Sequence, residues 1–269
     1  MVAHERWRRI AVVPACILVV AALSAGSVVR PGTDPTPGPS DGSFSVAVRG
    51  ARSQVIPLSA LPLSCAPGSV VHSVDTGGAK LVAFGFDDGP WPYTTTAIMS
   101  AFEQRGARAT FFMIGVHLLK YPDIGRSVAA RGHEIGNHTV THPYTAKTIL
   151  PQIVPAAQLI ASVTGVTPRL FRAPGLLSNA ELQNGLATLG YCNIFASIFT
   201  GDAATWRPSA ATICGRFKAG LRPGAIVLAH DGGGRHETTA AAVPCMLDAA
   251  IRSGYRIVTI SELLASAAR

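Results

Sequence analysis

The stretch Lys80-Leu81-Val82-Ala83-Phe84-Gly85-Phe86-Asp87-Asp88-Gly89-Pro90 sets the pattern for the rest of the chain. A short apolar run, as long as a buried strand, ends abruptly in two adjacent carboxylates and a Gly-Pro turn signal. Six further apolar runs follow, at 109–114, 133–136, 169–172, 191–198, 224–229 and 256–260. Amphipathic stretches of helical spacing separate them, at 94–105, 118–131, 146–163, 179–189, 209–220 and 237–253. Strands alternating with helices in this way define a parallel α/β domain.

The reactive side chains cluster at one position in that repeat. Asp87 and Asp88 follow the first run, His138 and His142 the third, and Arg172 ends the fourth; Asp202 and His230 follow the fifth and sixth. In a barrel the C-terminal strand ends converge on one face, where active sites are built. An open doubly wound sheet would gather ligands at one switch point instead, usually beside a glycine-rich phosphate loop, and no such loop follows the first run. Seven runs rather than eight point to an incomplete or distorted barrel.

Asp-Gly-Pro is an ordinary turn or helix-cap sequence. Two adjacent anions beside a core, however, repel each other and are poorly solvated. A bound cation relieves both problems and divides their roles, one as ligand and one as base. His138 and His142 would lie roughly 13 Å apart on a straight strand. In a tight loop, as Gly136-Asn137 and Pro143 favour, they converge. Two imidazoles and one carboxylate leave coordination positions open, as in a catalytic metal site. His230 ends an apolar run and enters a glycine-rich loop. His4, His72, His117, His133 and His236 lack such settings and are read as structural. Arg172, at the rim of the core, would seek a carboxylate; a surface salt bridge is the plainer alternative.

The chain of 269 residues has 23 Lys+Arg against 15 Asp+Glu, a formal charge of +8. Hydrophobic residues make up 48%, which excludes disorder, collagen-like sequence and coiled coil. Charged residues make up only 14%, so the paired acids at 87–88 stand out. Basic residues are not interleaved with aromatics, so no nucleic-acid partner is expected. Arg6, Arg8 and Arg9 precede an uncharged run from Ile10 to Val29, which reads as an export signal or an uncleaved membrane anchor within 1–25. Residues 26–79 hold a Pro/Gly/Ser-rich linker at 31–43 and a lead-in with room for one extra strand; the catalytic domain is placed at 80–269. Export makes disulfides plausible. Among Cys65, Cys192, Cys214 and Cys245 the expected pairs are 192 with 214 and 65 with 245; four buried thiols are the alternative.

Five motifs together resemble the polysaccharide deacetylase domain of carbohydrate esterase family 4. Phe86-Asp87-Asp88-Gly89-Pro90 is similar to the first motif, followed by Ala109-Thr110-Phe111-Phe112, and Gly132 through His142 is similar to the second. The resemblance implies a distorted (β/α)7 barrel and one divalent metal ion, Zn2+ by expectation, held by Asp88, His138 and His142. It further implies Asp87 as general base, Arg172 as its orienter and His230 as general acid. The Gly175 N–H would donate to the oxyanion, and Trp206 and Leu228 would line an acetyl pocket. Two motifs depart from the family pattern. Arg172-Ala173-Pro174-Gly175-Leu176 lacks the usual aromatic before its glycine, which removes a groove wall. Asp202-Ala203-Ala204-Thr205-Trp206 has threonine where a second carboxylate supports the acid histidine, which would lower that histidine's basicity unless Asp202 or another group substitutes.

The expectation is therefore a secreted or cell-surface monomer that removes N-acetyl groups from peptidoglycan or a chitooligosaccharide. Deacetylation of O-acetyl xylan, or wall binding without catalysis, are the alternatives. Three of the basic residues and Glu5 lie within 1–25, so a chain cleaved there carries +6 and would be drawn to an anionic wall.

Overall fold

The computed structural model describes residues 65–267, apart from Trp206. Its strands are β1 (Val70–Val71), β2 (Leu81–Asp87), β3 (Thr110–Met113), β4 (Glu134–Asn137), β5 (Asn193–Ile194), β6 (Ile198–Phe199), β7 (Ala225–His230) and β8 (Arg256–Val258). The helices are α1 (Thr94–Glu103), α2 (Gly115–Lys120), α3 (Pro122–Ala130), α4 (Ala146–Thr164), α5 (Ala180–Leu189), α6 (Ala210–Gly220), α7 (Glu237–Arg252) and α8 (Ile260–Ala265).

Every strand ladder is parallel. The main sheet runs β4-β3-β2-β7-β6, and β1 pairs separately with β5. Phe171 joins the two sheets through single parallel bridges to Asn137 and Asn193. Since β5 and β6 are pieces of one stretch, the path returns to where it began, which is the expected barrel-like α/β architecture. The distortion lies at β2. One of its edges pairs with β7 throughout, while the other is shared by β3 at Gly85–Asp87 and β8 at Leu81–Ala83.

The two-residue period of a strand decides what reaches the site. On β2, Val82, Phe84 and Phe86 pack against Ile98, Met99 and Phe102 of α1 and Phe217 of α6 in the larger core cluster. Ala83 lies in the inner cluster with Phe112, Ile226, Leu228 and, from α8, Ile260 and Leu263. Burying each large apolar side chain contributes about 1.5–3 kcal/mol. The same inward stripe continues through Gly85 to Asp87, and on β7 through Leu228 to His230. Gly85 is needed there, because a Cβ would come within 2.7 Å of the Arg172 guanidinium nitrogens.

Several expectations shift by local chemistry. The helix expected at 118–131 is two helices, broken at Tyr121, because a residue before proline disfavours the helical region. The run 169–172 contributes only the bridge at Phe171, and 191–198 divides into β5 and β6. The expected disulfide pairing is wrong. Cys65 joins Cys192 and Cys214 joins Cys245, at Cα separations of 6.3 and 6.0 Å. Cys214 and Cys245 face each other from the neighbouring helices α6 and α7. Cys192 directly precedes β5, whose partner β1 lies five residues beyond Cys65. The basic-apolar start of the chain lies outside the described residues. Among the described residues no helix is long and apolar enough to cross a membrane.

Candidate active site

A pocket of about 370 Å³ opens at the C-terminal strand ends, lined on one side by Asp87, Asp88, His138, His142 and His230. Tyr144, Gly175, Leu176, Ala203 and Leu228 line the rest. Asp87, Arg172, Asp88, His138, His142, His230, Gly175 and Leu228 are thus brought together as the sequence predicts. Trp206 lies outside the described residues.

Asp87 is the last residue of β2 and is 3% exposed. Arg172, which has no solvent exposure, donates from Nη1 to Asp87 Oδ1 at 2.7 Å. Its Nε donates to the Ile194 carbonyl at 2.8 Å and its Nη2 to the Phe195 carbonyl at 3.1 Å. The guanidinium carbon lies 4.1 Å from the centre of the Phe112 ring. Arg172 is therefore a buried partner of Asp87, not a surface salt bridge.

Asp88 leaves the strand with φ of 73°, in the left-handed region, and its side chain faces the same pocket and the same His138 Nε2 as that of Asp87. His117 Nδ1 donates to its backbone carbonyl at 2.6 Å. Asp88 Oδ1 is 3.4 Å from both His138 Nε2 and His142 Nε2, beyond ordinary hydrogen-bond length. Burial opposes its ionisation, but His138, His230 and His142 outweigh this and hold its pKa at about 2.

His138 and His142 converge because the chain after β4 forms a tight loop rather than a longer strand; their ring centres are 5.0 Å apart. Gln152 of α4 secures this loop, its Oε1 accepting from the backbone N–H groups of Val140 and Thr141 at 3.1 and 2.8 Å. Asn137 Oδ1 accepts from the Thr139 N–H at 2.9 Å, and Thr139 Oγ1 from the His142 N–H at 3.1 Å. Burial works against charge on His138, yet Asp87 and Asp88 raise its pKa overall. For His142, burial and the nearby His138 lower it.

This arrangement fits a metal ion. His138 Nδ1 lies 2.8 Å from the Arg172 carbonyl, which only accepts, so Nδ1 carries the proton and Nε2 presents a lone pair. That lone pair faces Asp88 Oδ1, a buried oxygen with no hydrogen-bond partner among the described residues. The three ligand atoms lie within 4.8 Å of one another. Ligand atoms around a tetrahedral ion with bonds of ~2.1 Å are about 3.4 Å apart, the separation between Asp88 and each histidine.

His230 ends β7, and its Nδ1 donates to Asp202 Oδ1 at 3.0 Å. Asp202 Oδ2 accepts from the His230 backbone N–H at 2.7 Å and from Thr239 Oγ1 at 2.8 Å. Thr200 Oγ1 donates to Asp202 Oδ1 at 2.9 Å. Asp202 therefore supplies the carboxylate that Thr205 lacks. Burial raises the cost of charge on both partners, but their mutual attraction prevails: His230 is raised to about 9 and Asp202 lowered to about 2.

Two groups escaped the sequence reading. His236, read as structural, stacks on His230 at 5.5 Å, with Nδ1 3.8 Å from Asp202 Oδ2. The glycines before it gave no hint that the chain folds back onto the site. Asp231 is fully buried beside Gly89 and accepts from Thr95 Oγ1 at 2.5 Å. Burial, with Asp88 and Asp87 nearby, pushes its carboxyl up to about 7.

The polysaccharide deacetylase family model matches residues 75–194. The chain is 35% identical over 189 residues to a peptidoglycan-N-acetylglucosamine deacetylase of Bacillus cereus, covering 69% of this chain and 88% of that protein. It is 36% identical over 165 residues to a chitooligosaccharide deacetylase of a Bradyrhizobium species, covering 59% and 74%. The crystal structure of the Bc1960 peptidoglycan N-acetylglucosamine deacetylase superposes with a TM-score of 0.67 at 27% identity, covering 72% of this chain and 92% of that one. The chain belongs to the polysaccharide deacetylase family.

Proposed function

We propose that this protein is an exported, metal-dependent hydrolase that removes N-acetyl groups from an N-acetylhexosamine polymer, peptidoglycan or chitin-like, and releases acetate. The observation that carries this reading is one pocket holding Asp88, His138 and His142 between two hydrogen-bonded ion pairs, Asp87 with Arg172 and His230 with Asp202. Asp88, His138 and His142 would hold a divalent ion, Zn2+ by the two-imidazole, one-carboxylate donor set. When bound, such an ion would supply Lewis-acid chemistry, polarising an acetamide carbonyl and making nearby water more acidic.

Asp87, held by Arg172, accepts the proton of the attacking water. The Gly175 N–H lies in the first turn of a 3-10 segment, where backbone donors have no acceptor within the turn, and donates to the developing oxyanion. Donors of that kind are worth about 3 kcal/mol. Leu228 walls the space for the acetyl methyl. His230 protonates the departing amine from Nε2 while Asp202 holds Nδ1. Two disulfides suit an oxidising compartment, and the basic charge suits an anionic wall.

Acetate release from N-acetylchitooligosaccharide, peptidoglycan and O-acetyl xylan, measured side by side, tests the proposal. Wild-type protein should release acetate from the N-acetylated polymers, and Asp87→Ala and His230→Ala should not. Equal rates for wild type and Asp87→Ala would overturn the assignment of the base.

A further inference from the structure

We propose that Tyr144 is the sugar-stacking wall of the pocket, the surface against which the pyranose ring of an N-acetylhexosamine unit lies. This rests on the reading of the site as a deacetylase of such polymers. Tyr144 follows His142 by two residues, in the loop that enters α4. It is 67% exposed although it lines the pocket. Its ring meets the His142 ring edge-on, with centres 4.9 Å apart at 82°. On another side it lies over Gly175, where a Cβ would come 3.2 Å from Tyr144 Cδ1.

The ring is thus braced from two directions and still open to solvent. A large exposed aromatic held in place beside a polar, charged site is poised to bury its surface on a ligand. Pyranose rings present a face of C–H groups that packs on such a surface. Gly175 and Tyr144 are also complementary. The third motif lacks an aromatic at 175, and the bare glycine backbone there, at φ of 60°, leaves room for a ring brought in from the second motif. The groove wall that seemed lost is supplied by residue 144.

The test compares wild type with Tyr144→Ala, Tyr144→Phe and Tyr144→Trp. Each is assayed for KM and kcat on N-acetylchitotetraose, for hydrolysis of 4-nitrophenyl acetate (which has no sugar ring), for bound zinc, and for calorimetric binding of the tetraose. Stacking predicts that Tyr144→Ala weakens tetraose binding about tenfold. It also predicts a larger effect on KM than on kcat, and a tetraose to aryl-acetate activity ratio lowered by a similar factor. Phe and Trp should keep most of the affinity. Unchanged tetraose binding in Tyr144→Ala would refute the proposal, as would equal losses on both substrates together with loss of zinc, which would make Tyr144 only a prop for His142. The binding arm needs no turnover. Tyr144-dependent binding without acetate release would therefore refute the proposed reaction and leave the stacking role standing.

Discussion

Arg172 Nη1 and Asp87 Oδ1 meet at 2.7 Å in a setting where the guanidinium has no contact with solvent. Three donor directions are committed, to one carboxylate and two carbonyls, so the pair works as a rigid bracket. Removing one partner of a buried ion pair costs about 3–5 kcal/mol, because the other charge is left buried and alone. Arg172→Met should lose that much stability in urea denaturation and most of its acetate release. Arg172→Lys, which keeps the charge but not the planar fork, should fall between. Gly85→Ala should mimic part of the defect by pushing into the guanidinium.

Asp202 and His230 lead to a pH prediction. In the proposed role of general acid His230 would work while protonated, so activity should fall as pH rises through its raised pKa of about 9. Asp202→Asn removes the attraction, and the alkaline limb of kcat/KM should move down toward the ordinary imidazole value of about 6.5. The pair also contributes to stability. The share from His230 is complete below its unfolded pKa and lost as pH rises through about 9; that from Asp202 is complete above its unfolded pKa and lost as pH falls through about 2. Thermal denaturation of Asp202→Asn across pH should show a flatter curve. An alkaline limb in the same place as wild type would remove Asp202 from this role.

Chelation should abolish acetate release and lower the melting temperature, since an ion that binds only the folded state stabilises it. The effect is about 2.7 kcal/mol at a free concentration one hundred times Kd. Adding Zn2+ back should restore both. Elemental analysis should find one ion per wild-type chain and far less in His138→Ala.

Peptide mapping without reduction should recover Cys65 linked to Cys192 and Cys214 linked to Cys245. Replacing Cys214 and Cys245 together with alanine should cost about 2–4 kcal/mol, read from denaturation midpoints. Recovery of a Cys192–Cys214 peptide would contradict the fold around α6.

The strand ends that carry chemistry were legible because alternation along a strand is local. Once β2 is recognised, Ala83, Gly85 and Asp87 must share a face, and so must Leu228 and His230. The loop joining His138 to His142 was legible from its flanking Gly-Asn and Pro. What escaped depends on encounters between distant segments. Disulfide partners follow from which helices lie side by side, information that spacing along the chain does not hold. The glycines at 232–234 concealed that His236 returns to His230. Thr205 suggested a weakened acid, and only the course of the chain after β6 brings Asp202 under the imidazole ring.

Below the site, α8 fills the opposite end of the barrel. Ile260, Leu263 and Leu264 are buried in the inner cluster, and the Ile260 N–H donates to Thr110 Oγ1 at 3.1 Å. The Ser261 N–H donates to Glu134 Oε2 at 3.2 Å. Among the described residues, that helix packs the inner cluster at the end away from the pocket. On the proposed reading, the polymer and both products would pass through the opening at the C-terminal strand ends, opposite the end that this short helix fills.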